Sequence, residues 1–208
     1  MSSWKSLRPS LGLLAALSLV MAAYALGADD AKKAQPALTP EQQKEMEAWM
    51  AVAKPGKEHE AMKHMEGTFD VAVEMVMQPG APAEKSTGKQ VAKMIFGGRY
   101  LHADFTGETM GQTFHGASLT GYDNVKKEHF SAWIDDMGTG LLTAEGTASA
   151  DGKVVTLHGE YTDPMQKKHT FRWVTTFEND DRYTFDWFDT AAGGKEFRMM
   201  RAKYTRAK

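Results

Sequence analysis

The stretch TFDVAVEMVMQ, residues 68–78, alternates side chains with a period of two. Phe69, Val71, Val73, Met75 and Met77 fall on one face, with Asp70, Ala72, Glu74, Val76 and Gln78 on the other. That period belongs to a β-strand with one buried side, so the odd positions point inward. The texture continues along the chain. Nine further β-rich runs follow, at residues 87–96, 99–106, 112–120, 127–135, 140–149, 153–162, 167–178, 182–189 and 195–205, punctuated by glycine and aspartate turn signals. Links such as ASADGK, TDPMQ and ENDDR are too short for crossover helices, so neighbouring strands pair antiparallel. Ten strands in one open sheet would leave two long edges, and closure removes both. The expected fold is all-β, a ten-stranded antiparallel up-and-down barrel over residues 67–206. Such a barrel is wider than side chains alone readily fill, so a cavity is expected.

The segments ahead of the barrel have a different character. Lys5 and Arg8 precede an apolar run, LGLLAALSLVMAAYAL at residues 11–26. Small residues suited to a signal peptidase follow: Ala25 and Gly27, or Ala23 and Ala25. The run falls short of the roughly 18 apolar residues of a membrane span. Residues 1–27 therefore read as a cleaved signal peptide, which places the mature protein in the periplasm or outside the cell, with no membrane span. Residues 28–38, without periodicity, read as a disordered linker. Two short helices are expected over residues 39–66. Thr39 and Gln42 have capping-box spacing, Pro40 suits the first turn, and Met46, Trp49, Met50 and Ala53 form one apolar stripe.

The 208 residues suffice for one domain with a sizeable core, and a formal charge of -2 gives no basic footprint for nucleic acid. The absence of cysteine excludes disulfides, zinc-thiolate sites and thiol nucleophiles.

Several blocks carry a family likeness: PGKEHEAM, then Gly67, IFGGRYL, MGQTFHG, GYDNVKKEHFSAWIDDMGTG, EGT, GEYTDP and KEFRMMRAKYTR. On these, residues 55–206 resemble the DUF1579 family, domains of unassigned function placed among the calycin-like barrels. The resemblance implies a calycin-like fold and no assigned chemistry. Calycin barrels often open with glycine, any residue, then tryptophan, and an arginine of the last strand commonly covers that tryptophan. Here the opening is Gly67-Thr68-Phe69, so the resemblance implies Arg206 over Phe69, an arrangement that closes the barrel's end.

The segment PGKEHEAMKHMEGTF (residues 55–69) invites a metal reading. A zincin helix needs histidines at i and i+4, about 40° apart, whereas His59 and His64 at i and i+5 are rotated by roughly 140°. The zinc reading fails on geometry. His59, Met62 and Met65 do share one helix side, the donor set of a Cu(I) site, but an amphipathic helix closing a barrel needs apolar residues there anyway. Some calycin relatives bind haem through a histidine of a late strand. No histidine follows His169, which leaves His102, His115, His129, His158 and His169, none specifically placed. There is no Gly-x-Ser-x-Gly elbow. Asp135 and Asp136, as strand neighbours, face opposite sides. No catalytic residue, metal or cofactor is therefore assigned.

Non-catalytic binding of a small apolar or amphipathic molecule in the barrel, in the cell envelope, fits best. Met75, Met77, Trp133, Phe171, Trp173, Trp187 and Met200 are the expected apolar lining. Arg99, Arg172 or Arg198 would meet an anionic head group, and Tyr122 would lend a hydroxyl. The alternative is a protein-interaction module whose barrel is filled and whose Met46–Trp49–Met50 stripe or outer wall meets a partner, of which the sequence says nothing more. A haem or copper protein ranks below both.

Overall fold

The computed structural model describes residues 38–109, 111–191 and 194–208. The expected signal peptide and all but the last residue of the expected linker lie outside the described residues. Met50–Lys208 forms one compact unit.

Helix α1 (Pro40–Val52) starts as the sequence dictates. The Thr39 amide donates to Gln42 Oε1 at 2.9 Å, and the Gln42 amide donates back to Thr39 Oγ1 at 3.3 Å, so two orphan amides are satisfied reciprocally. No residue of α1 is buried. Helix α2 (Lys57–Met62) runs directly into a 3-10 turn, Lys63–Met65. The two separate helices expected from the sequence are corrected here to arms of one bent helical segment, interrupted at residues 53–56. Pro55 has no amide to donate, and its ring excludes the preceding residue from helical geometry, which accounts for the bend. Among the described residues no helix is long and apolar enough to cross a membrane.

The ten expected strands are all present: β1 (Gly67–Met75), β2 (Glu84–Ile95), β3 (Tyr100–Thr109), β4 (Gln112–Asp123), β5 (Glu128–Asp135), β6 (Leu142–Ala148), β7 (Val154–Thr162), β8 (Lys168–Asn179), β9 (Arg182–Ala191) and β10 (Phe197–Arg206). Each pairs antiparallel with its sequence neighbours, and β1 pairs with β10, so the sheet is a closed up-and-down barrel. Phe69, Val71 and Val73 are buried while Asp70 and Ala72 are exposed, the inward set read from the first strand. Phe69 is wholly buried, and Val71 and Val73 pack with Ala202 of β10 across the closing seam.

Arginine closes the α2 end. The Arg206 guanidinium lies 4.6 Å from the centre of the Phe69 ring. Its Nη1 donates to the Glu66 carbonyl at 2.7 Å, and its Nη2 to the carbonyls of His64 and Asp180 at 3.0 and 2.7 Å. A fourth bond runs from Nε to Asp181 at 3.1 Å. One planar fork thus ties the helical segment, the first strand and the β8–β9 turn together. Gly67 makes this possible. It sits at φ +118°, and a Cβ there would lie 2.7 Å from Arg206 Nη1.

Candidate functional site

Interior packing leaves a cavity of about 380 Å³ inside the barrel, within the range of small-molecule sites. Ala61, Met62 and Met65 of the helical segment form its floor, and Met75, Met77 and Met137 lie at the opposite end. Met77 and Met137 also reach the surface, each 62% exposed, so the cavity has a mouth between the ends of β1 and β5.

The two walls differ. β8, β9 and β10 supply Trp173, Phe185, Trp187 and Tyr204, a continuous aromatic surface. Trp173 and Trp187 face each other in register, with ring centroids 5.7 Å apart at 75°. Neither indole N–H finds an acceptor among the described residues. The opposite wall, from β4 and β5, carries small hydroxyls: Ser118, Thr120 and Ser131, with Thr120 Oγ1 and Ser131 Oγ hydrogen-bonded to each other at 3.0 Å. Gly116 of β4 lies under the Trp133 ring, where a Cβ would collide with it, so the glycine is what lets Trp133 lie flat against the wall. Trp133 Nε1 donates to Asp135 at 2.8 Å. Deeper in, Gln90 donates to the Tyr183 hydroxyl at 2.8 Å. Burial holds the Tyr183 phenol neutral well beyond its ordinary range.

The floor is polar on one side. His129 of β5 is buried, and Glu58 of α2 lies 3.9 Å from its Nε2. Desolvation lowers the His129 pKa, with Glu58 opposing more weakly, so the imidazole is held toward its neutral form. Behind it, Tyr122 packs edge-on against His59 and His129, at 5.9 and 4.9 Å. His59 is also buried, and its Nδ1 accepts the Gly56 amide at 3.1 Å, which starts α2. The histidine–methionine stretch of the sequence therefore closes one end of the barrel. Asn124 fixes this closure by donating to the Val52 and Lys54 carbonyls at 2.8 and 2.9 Å.

Of the eleven residues singled out in the sequence, Met75, Met77, Trp133, Trp173, Trp187 and Met200 line the cavity. The other five stand elsewhere. Phe171 packs behind Trp173 and Trp187, with centroids at 4.8 and 5.6 Å. Tyr122 lies behind the floor. Arg99 donates to the Phe96 carbonyl in the β2–β3 turn at 2.9 Å. Arg172 grips Glu196 bidentately and covers the Phe188 ring at 4.0 Å. Arg198 lies 3.7 Å from Asp186, which Arg201 also holds at 2.7 Å. Glu58, Gln90 and the hydroxyl wall were not anticipated, and His129 was named only among the unplaced histidines weighed for haem. The signal for the hydroxyl wall was present in the placement of Ser118 and Thr120 at positions of one parity along β4.

A second polar cluster sits near the β7–β8 turn. His169 bridges Asp189 at 2.9 Å and Asp163 at 3.3 Å, stacks on Tyr161, and has its pKa raised, first by Asp189 and then by Asp163. The Tyr161 hydroxyl donates to the same Asp189. Every polar atom here has a partner, which makes the cluster a structural clasp.

The family model of DUF1579, a protein family of unknown function, matches residues 54–206, the whole barrel and the closing helix α2. The chain belongs to the DUF1579 family. No curated protein matches it. Among solved structures it is similar to Rv2717c from M. tuberculosis, at 13% identity and a TM-score of 0.54, over 74% of this chain and 100% of that one. A redesigned β-barrel aligns at 13% identity and a TM-score of 0.37, over 71% of this chain and 96% of that one. The likeness to Rv2717c extends to the fold alone. DUF1579 in this form is a closed barrel with a helical stopper and a hollow interior.

Proposed function

We propose that this DUF1579 protein is a non-catalytic carrier or sensor that holds one small apolar or amphipathic molecule in its barrel, in the manner of calycin and lipocalin-like barrels. The observation that carries the reading is the cavity: about 380 Å³, walled by aromatic rings, floored by methionines and reaching the surface at one end. A protein under no demand to bind would gain stability by filling that volume, because close packing of an interior is worth several kcal/mol. The polar groups inside are few and placed, as a site that orients its ligand requires. Methionines at both ends adapt to varied shapes. The signal-like residues 1–27 motivate the remainder of the proposal, that the protein acts in the periplasm or outside the cell.

Native mass spectrometry and solvent extraction of the purified protein test this. The expected outcome is a co-purifying small molecule, or reversible uptake of added amphiphiles that perturbs the fluorescence of Trp133, Trp173 and Trp187. Ala103→Trp, which fills the interior from β3, abolishes uptake in this reading. An interior that takes up no amphiphile, or uptake unaltered by Ala103→Trp, would refute it.

A further inference from the structure

The barrel sorts its charges by sign. Among the described residues four carboxylates line the cavity, those of Glu58, Glu84, Glu108 and Asp135, and no lysine or arginine does. Cations of the wall lie outside, and several are paired there: Lys89 with Asp70, Lys85 with Glu74, Arg172 with Glu196, Arg201 with Asp186. The arginines that would receive an anionic head group are thus already engaged on the wrong side of the sheet. Inside, Trp173, Trp187 and Tyr204 line the cavity, and an aromatic face, unlike its edge, attracts cations. At the floor, Glu58 offers a carboxylate only 27% exposed beside the buried His129 imidazole. Its contact with Lys57, at 3.5 Å, involves an amine that is 92% exposed and lies on the solvent side. Walls of low polarity strengthen any charge interaction within the cavity.

We infer that the cavity selects an amphiphile bearing an ammonium group and rejects carboxylate amphiphiles, with Glu58 as the anchoring counter-ion. The inference deepens the ligand-binding reading and rests on it. An ammonium N–H donates to Glu58, its apolar tail runs along the aromatic wall toward the methionine mouth, and a fatty carboxylate meets hydroxyl and indole donors but no lysine or arginine to offset the four carboxylates.

Three probes of equal chain length separate the outcomes: decylammonium, decanol and decanoate, titrated below micelle formation by calorimetry at neutral pH. Decylammonium is expected to bind at least tenfold more tightly than decanoate, with decanol between them, and added salt should narrow that gap. Glu58→Gln is expected to weaken decylammonium at least fivefold and leave decanol within twofold, which also shows that the variant is folded. Decanoate binding as tightly as decylammonium overturns the inference while leaving the cavity reading intact. Decylammonium affinity unchanged in Glu58→Gln overturns the anchoring role of that residue. Failure of all three probes to bind overturns the cavity reading itself.

Discussion

Replacing Arg206 by alanine removes the fork that closes the α2 end. Three of its bonds reach backbone carbonyls, at 2.7, 3.0 and 2.7 Å, and a charged donor in each is worth about 1.5–3 kcal/mol taken alone. Those values do not add, because all three are made by one group, and the guanidinium is 32% exposed, so water replaces part of what is lost. The Asp181 carboxylate is 71% exposed, and that pair contributes under about 1 kcal/mol. Contact with the Phe69 face adds about 0.5–1 kcal/mol. The net expectation for Arg206→Ala is a loss of about 3 kcal/mol, which lowers the melting temperature by roughly 6–12 °C in a domain of this size. Arg206→Lys keeps the charge but presents one donor centre where three carbonyls converge, and should recover less than half of the loss. Urea unfolding followed by tryptophan fluorescence measures both, the midpoint moving while the slope stays fixed. A loss below about 0.5 kcal/mol for Arg206→Ala, the range of an ordinary surface change, would refute the latch.

Two further outcomes follow from the site. Gly116→Ala places a methyl group inside the space of the Trp133 ring and should cost about 1–3 kcal/mol while altering the near-ultraviolet dichroism of that indole; an unchanged spectrum and midpoint would show the wall to be looser than described. His169 has its folded pKa raised above the ordinary 6.5, so its stabilisation is complete below pH 6.5 and is lost as pH rises through the higher folded value. His59 and His129, both lowered by desolvation, act in the opposite sense, their stabilisation complete above pH 6.5 and lost on acidification. Unfolding midpoints of His169→Gln measured across pH 5–9 should therefore lack the alkaline decline of the parent and keep the acid one, and an unaltered alkaline limb would dismiss the clasp.

The barrel was legible because its evidence is local and repeated. Alternation in residues 68–78 gave the inward face, and the short links forced antiparallel pairing. The polar half of the site was not legible, for identifiable reasons. Arg198 and Met200 share a parity and read as one face, but the β9–β10 register shifts between them, so Met200 turns inward and Arg198 outward. Arg172 and Trp173 are strand neighbours and cannot both face the cavity. Glu58 and His129 lie far apart in sequence and meet only because the bent helical segment folds under β4 and β5. No pattern within either segment announces that meeting.

Pairing of β1 with β10 has a consequence for how the molecule comes into being. Arg206 reaches back 140 positions to the Glu66 carbonyl, and the first strand, already paired with β2, lacks its second partner until Phe197–Arg206 has left the ribosome. Until then the growing chain carries unpaired strand edges, which are templates for adhesion to other chains. Sequence-adjacent strands can pair as they are made, but the ring cannot close before β10 exists. Closure therefore waits on the strand farthest in sequence from the first, and until that strand docks the sheet keeps two open edges.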